Sequence, residues 1–365
     1  MTTADVRTVR PEAPVVPPPR RRRSSLARHL LLILVVGALL FALTFVLSPF
    51  RNYQLATVAG YFCATAGLTV LIGRNGQLSL GHGALMAIGA YTVAWVQRAF
   101  ADQGIFTGWL LLLSLAAAVL VASAAGLVIG LAAARLHGPY LAGVTLALAV
   151  GVPSMATVWS ETLGAEQGLG VPVEPPPLAL GAMFPTERWQ AWVALTAALV
   201  VMLLLTNLVA GGFGRDMAAV RDDEVAARLS GIDVPRTKVL TFTVSAACAG
   251  LGGGVFAFLT QSVSPGAYAL TLSLFLVMAV VIGGLGSLVG AFWGALLLVA
   301  LPEITHSVTS LFTVSPAVAQ RLEGNLPLAI FGATLVVVML AAPGGIQNVL
   351  VRGYRRLAAT LQRKG

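Results

Sequence analysis

Stretches of about twenty consecutive apolar residues recur along this chain, each long enough to cross the hydrocarbon core of a bilayer as a helix. Hydropathy places ten of them, at 29–49, 53–73, 79–97, 107–130, 139–159, 189–210, 239–259, 267–285, 288–305 and 325–343. Lipid offers no partner to backbone N–H and C=O groups, so a spanning run must satisfy them internally as a helix or close into a barrel. Barrel strands alternate apolar and polar residues, and these runs do not. The expected fold class is an all-α polytopic membrane protein with about ten transmembrane helices. Composition agrees: 57% of residues are hydrophobic and 10% charged, where soluble domains carry about 25% charged residues. The 39 glycines suit helices that must approach closely without a hydrophobic force between them.

The net charge of +9 does not point to nucleic acid, because aromatic residues are not interleaved with a basic patch. It reports topology instead. With the N-terminus in the cytoplasm and ten alternating spans, 19 of the 23 Lys and Arg residues fall inside, leaving Arg51, Arg98, Arg188 and Arg321 outside. The positive-inside rule then places both termini in the cytosol. Residues 1–28 read as a disordered, basic, Pro-rich cytosolic tail, 29–350 as the transmembrane domain and 351–365 as a basic cytosolic C-terminal tail. The run that follows Arg20–Arg23 is too long for a signal peptide and lacks a small-residue cleavage site, so it is kept as the first span. Two long connections stand out: an outer loop at 160–188, with Glu161, Glu166, Glu174 and Glu187, and a polar inner loop at 211–238.

The chemistry that is missing narrows the function. Thirteen of the 14 acidic residues lie in the tail or in loops, and Glu303 alone approaches a span. Ion-coupled carriers usually hold ionisable groups within the membrane, and His82 is the one such group at mid-depth. A stand-alone secondary carrier is therefore disfavoured. The chain has two lysines, Lys238 and Lys364, and neither ends a phosphate-binding glycine loop. Transport driven by ATP would need an ATPase on another polypeptide. Cys63 and Cys248 both sit in apolar runs, so neither a disulfide framework nor a cysteine metal site is expected, and no cofactor is implied. Ser79 and His82, three apart on one helix, allow a nucleophile pair, but packing or substrate lining is the stronger reading.

Four segments carry the remaining signal. In GQLSLGHGALMAIGAY (76–91), small residues repeat every three or four positions, while Gln77, Ser79 and His82 enter the membrane at its start. RLHGPYLAGVTLAL (135–148) opens a helix at Pro139 and carries Thr145. GRDMAAVRDDEVAARLSGI (214–232) predicts one short surface helix, capped by Asp216, running through Arg228 and stopped by Gly231. Glu224 and Arg228 are spaced there for an i, i+4 ion pair, and Asp233 with Pro235 starts the next span. Such a mixed-charge loop suits a docking site for a cytosolic partner. LVMAVVIGGLGSLVGAFWGA (276–295) crowds glycines into a tight connection between two spans.

Together and in this order, these segments resemble the permease subunits of branched-chain amino-acid ABC importers, specifically the LivM-like half of a LivH/LivM pair; urea-importer permeases share the pattern. The resemblance covers about residues 30–350. It implies a permease domain in a bacterial inner membrane that translocates branched-chain or related amino acids, with urea or an amide as the alternative cargo. It further implies a second, LivH-like permease subunit, two cytosolic ATPase subunits and an extracytoplasmic substrate-binding protein. Gln77, Ser79, His82 and Thr145 are then candidates for the substrate pathway. Arg215, Met217, Val220, Arg221, Glu224, Arg228 and Leu229 are candidates for coupling to the ATPase, with Val220 and Leu229 expected at the core of that joint.

The charge distribution makes a direct prediction. A cysteine introduced at Gln167 reacts with a membrane-impermeant thiol reagent in intact cells, and one introduced at Ser230 does not; the reverse pattern would overturn the topology.

Overall fold

The computed structural model describes residues 25–362, apart from 102, 104–108, 137–138, 173–174, 178–179, 182, 310–315 and 343. Residues 1–24 of the expected tail lie outside the described residues. The described chain is helical almost throughout. The helices are α1 Ser25–Val46, α2 Pro49–Thr69, α3 His82–Ala101, α4 Leu110–Ala133, α5 Pro139–Val158, α6 Ser160–Leu163, α7 Thr186–Ala210, α8 Gly212–Asp222, α9 Glu224–Leu229, α10 Val234–Thr260, α11 Leu270–Gly283, α12 Leu288–Thr309, α13 Pro316–Ala341 and α14 Gly345–Gln362. A π-helical turn, Val70–Arg74, continues α2, and a 3₁₀ turn, Pro265–Tyr268, precedes α11.

Each of the ten apolar stretches falls on one of these helices. On length and apolarity, however, seven described helices can cross a membrane, or eight if α13 and α14, bent by 42° at a short break, make one span. The expected ten is not reached among the described residues. α3 holds His82, Gln97 and Arg98 within 20 residues, and the first two are buried against neighbouring helices. α11 has only 14 residues and is counted among the seven together with the preceding 3₁₀ turn.

α10 forms the centre. It packs on α2, α3 and α4, and the apolar windows of α2 and α10 are 78% and 72% buried, against 11% for α1. Glycine decides how closely these helices meet. A Cβ at Gly253 would overlap the Met86 carbonyl of α3, and one at Gly89 would overlap the Gly250 carbonyl of α10. The α3–α10 crossing is therefore backbone against backbone, the device by which membrane helices gain van der Waals contact without a hydrophobic drive.

The outer loop is tethered. β1, Leu169–Gly170, pairs antiparallel with β2, Ser262–Val263, just beyond α10, in the register Leu169↔Val263 and Gly170↔Ser262. The inner loop differs from its expected form. Instead of one helix capped by Asp216, there are two, and Asp216 lies inside α8. The break falls at Asp223, whose extended backbone turns the chain while its carboxylate accepts from the Val225 and Ala226 amides at 2.8 and 3.0 Å. Asp233 caps α10 by accepting from the Arg236 amide at 3.0 Å, with Pro235 in the first turn, as expected. The ion pair shown by Glu224 is with Lys238 on α10 rather than with Arg228. The basic C-terminal stretch continues as α14.

Because the α3–α10 crossing has no room for a side chain, Gly253→Val is expected to cost on the order of 1–3 kcal/mol or more. Melting temperature and monodisperse yield in detergent should both fall. Gly151→Ala, at a glycine with open space around it, should change neither.

Candidate functional site

Between α2 and α3 the backbone leaves helical geometry inside the protein. After the π turn, Gly76 adopts φ +73°, a left-handed conformation suited to glycine, with Arg221 of α8 packed above it. Residues 76–81 then run without helix until α3 begins at His82. Ser79 is therefore not on the helix with His82, as expected from their spacing, but in the segment leading into it. That segment and the start of α3 expose amides that would be orphaned in a membrane.

Three hydroxyls meet those amides. Thr145 Oγ1 of α5 accepts from the Leu80 N–H at 3.0 Å, Ser79 Oγ from the Gly81 N–H at 3.4 Å, and Ser273 Oγ of α11 from the Gly83 N–H at 3.0 Å. His82 joins the cluster through both ring nitrogens, with Nδ1 at 3.1 Å from Ser79 Oγ and Nε2 at 2.7 Å from Ser245 Oγ of α10. One of the two His82–Ser contacts donates to the ring and the other accepts from it in the neutral tautomers. Ser79, His82, Thr145, Ser245 and Ser273 are all completely buried.

The sequence candidates Gln77, Ser79, His82 and Thr145 are thus brought together around one break in the backbone. Ser245, Ser273 and Lys238 complete the cluster and were not singled out from sequence. The signal was faint: isolated polar residues within apolar helices, where an unpaired polar group is costly. A hydrolase arrangement does not emerge, because His82 passes its second nitrogen to a serine rather than to an orienting carboxylate. Among the described residues, no group of three His, Cys, Asp or Glu side chains could hold a metal ion.

On the side of α8 the segment is fastened to the inner loop. Gln77 Nε2 donates to the Lys238 carbonyl at 3.1 Å, Arg221 Nη1 to the Gly73 carbonyl at 2.8 Å, and Arg74 Nε to the Gly286 carbonyl at 2.8 Å. Lys238, itself buried, pairs with Glu224. The coupling candidates divide in two. Met217 and Val220 point into this chain, Val220 packing with Ala227 and Val234. Arg215, Arg221, Arg228 and Leu229 are exposed, Leu229 at 86% and its neighbour Val225 at 68%. Asn75 is buried with neither amide atom partnered, and Gln77 Oε1 is likewise unpaired, among the described residues.

Removing one partner from such a cluster leaves another buried group unsatisfied, at about 1–3 kcal/mol each. His82→Ala and Ser245→Ala should each lower thermal stability in detergent. The double variant should be less destabilised than the sum, with a coupling energy of roughly 0.5–3 kcal/mol. Strict additivity would show that the 2.7 Å contact contributes nothing.

A family model described as the permease component of branched-chain amino acid transport systems matches residues 51–343. The high-affinity branched-chain amino acid transport system permease protein LivM of Escherichia coli K12 is 30% identical over 309 residues, covering 78% of this chain and 67% of that protein. The corresponding LivH protein of the same organism is 25% identical over 318 residues, 83% of this chain and 96% of its own length. A shorter match, 35% over 114 residues, is to the autoinducer 2 import system permease protein LsrC of Klebsiella pneumoniae, covering 28% of this chain. No solved structure matches. The family match takes in the unwound segment, the α8–α9 elbow and the glycine-rich turn after α11, and it makes the chain a member of the permease components of branched-chain amino acid ABC transport systems.

Proposed function

We propose that this chain is the LivM-like half of an inner-membrane importer for branched-chain or related amino acids. It pairs with a LivH-like permease, takes cargo from an extracytoplasmic binding protein and is driven by two cytosolic ATPase subunits. The chain performs no covalent chemistry of its own. Its work is to present a path alternately to each side, which requires two arrangements with different affinity for cargo.

The observation that carries this reading is the tie between the α8–α9 elbow and the unwound segment. Arg221 holds the Gly73 carbonyl, and Lys238 holds Glu224 with its side chain and Gln77 with its carbonyl. A push on the elbow therefore reaches residues 73–77 through a few strong contacts and continues to Ser79, His82 and Thr145. In this reading Met217 and Val220 root the elbow, while Leu229, Val225, Arg215 and Arg228 face the ATPase, apolar contacts at the centre and charge at the rim. The unpaired amides of Asn75 and Gln77 are groups that a second arrangement could satisfy.

Cytosolic termini and ten spans belong to the same proposal. Several contacts support them, because they join residues expected on one side. Arg74 meets Gly286 and Arg221 meets Gly73 within, while β1 meets β2 and Gln54 meets Glu303 without. α3 then crosses as a protein-sheathed span.

Reconstituted complexes test the coupling. Leu229→Asp carries an unpaired carboxylate into the joint and should weaken ATPase association roughly tenfold or more. Glu224→Gln should leave assembly intact while lowering uptake per ATP hydrolysed. Wild-type assembly, stimulation by loaded binding protein and uptake in both variants would reduce the elbow to a solvated connector.

A further inference from the structure

Two cavities on the flank of the molecule form one groove. The first, about 330 Å³, is bounded by α1, α2, α7 and α12, and the second, about 440 Å³, by α2 and α12; both are lined by Leu55, Val58 and Phe292. The groove is apolar along its length and polar at one end. There Arg51 Nη1 donates to Gln54 Oε1 at 2.9 Å, and Gln54 Nε2 donates to Glu303 Oε2 at 2.7 Å. Arg51 is exposed and makes no ion pair among the described residues.

Its dimensions select an occupant. At 1.5 Å per residue, the α2 wall from Arg51 to Phe62 measures about 16 Å and the α12 wall from Leu288 to Ile304 about 24 Å. Both are shorter than the roughly 30 Å hydrocarbon core. A transmembrane helix from a partner would need a groove of the full thickness. An acyl chain needs one leaflet, an apolar wall and a cation where its headgroup emerges.

We infer that this groove is a phospholipid site, with an acyl chain lying between α1 and α12 over α2 and the phosphate on Arg51. The site tethers α1, which is otherwise held mainly by α7, to the body of the protein. Nothing in it requires the coupling scheme above.

Native mass spectrometry of the full-length chain tests it, using dioleoylphosphatidylglycerol and, as a probe without phosphate, dioleoylglycerol. One equivalent of the phospholipid should survive delipidation. Arg51→Ala should lower its retention roughly fivefold, the worth of one cationic side chain at an anionic surface, to the level of dioleoylglycerol. Val289→Trp, at an exposed residue of the groove wall, should displace both lipids. Equal retention by wild type and both variants would overturn the site. So would a Val289→Trp chain that keeps its lipid but no longer binds a second permease subunit, since the groove would then be a protein interface.

Discussion

Amides at the entry to α3 have no preceding helical turn to bond to, and the surrounding architecture is arranged to meet them. Leu80, Gly81 and Gly83 donate to hydroxyls from α5, from the segment itself and from α11, while His82 bridges to α10. A helix end buried in apolar surroundings would otherwise forfeit several kcal/mol per orphaned group. The requirement fixes where α5, α10 and α11 must stand relative to α3. It also explains why polar residues sit at the centre of a chain so poor in charge.

The same requirement makes the break a place of concentrated consequence. Hydrogen-bonded helices resist bending, whereas a non-helical segment can change its dihedrals at low cost once its partners move. Gly76 supplies the turn and Arg221 of α8 covers it. Inner-loop residues thereby touch the least regular backbone in the membrane domain, while the backbone contacts of α3 and α10 keep the frame around it stiff.

Much of this was legible in the sequence, though unevenly. Apolar runs located the long apolar helices, because length and hydropathy are local properties; the 18-residue α14, whose later part was read as a basic tail, has no such run. Gln77, Ser79, His82 and Thr145 were found because polar residues at span starts are expensive and therefore conspicuous. Their partners Ser245 and Ser273 were not, since a hydroxyl can equally bond its own helix backbone. The position of Ser79 was misread for a related reason: three-residue spacing looks helical unless the left-handed turn at Gly76 is known. The division of α8 from α9 turned on Asp223, which competes with Asp216 as a cap and prevails because its carboxylate reaches two amides at once. The Glu224–Lys238 pair crosses from one helix to another, which spacing along one helix cannot reveal. The number of spans is hardest to read, because a helix sheathed by protein need not be apolar.

The β1–β2 ribbon is only two residues deep, but it joins the outer loop to the end of α10. The other end of α10 begins at Val234, four residues before the lysine that grips the elbow. With 27 residues, α10 is about 40 Å long, and it packs on α2, α3 and α4. A displacement of Leu169 and Gly170 must break backbone bonds at the ribbon or be passed into α10. One continuous helix thus runs from the ribbon to the elbow, and because Ser245 lies on it, the hydroxyl cluster is attached to that helix partway along.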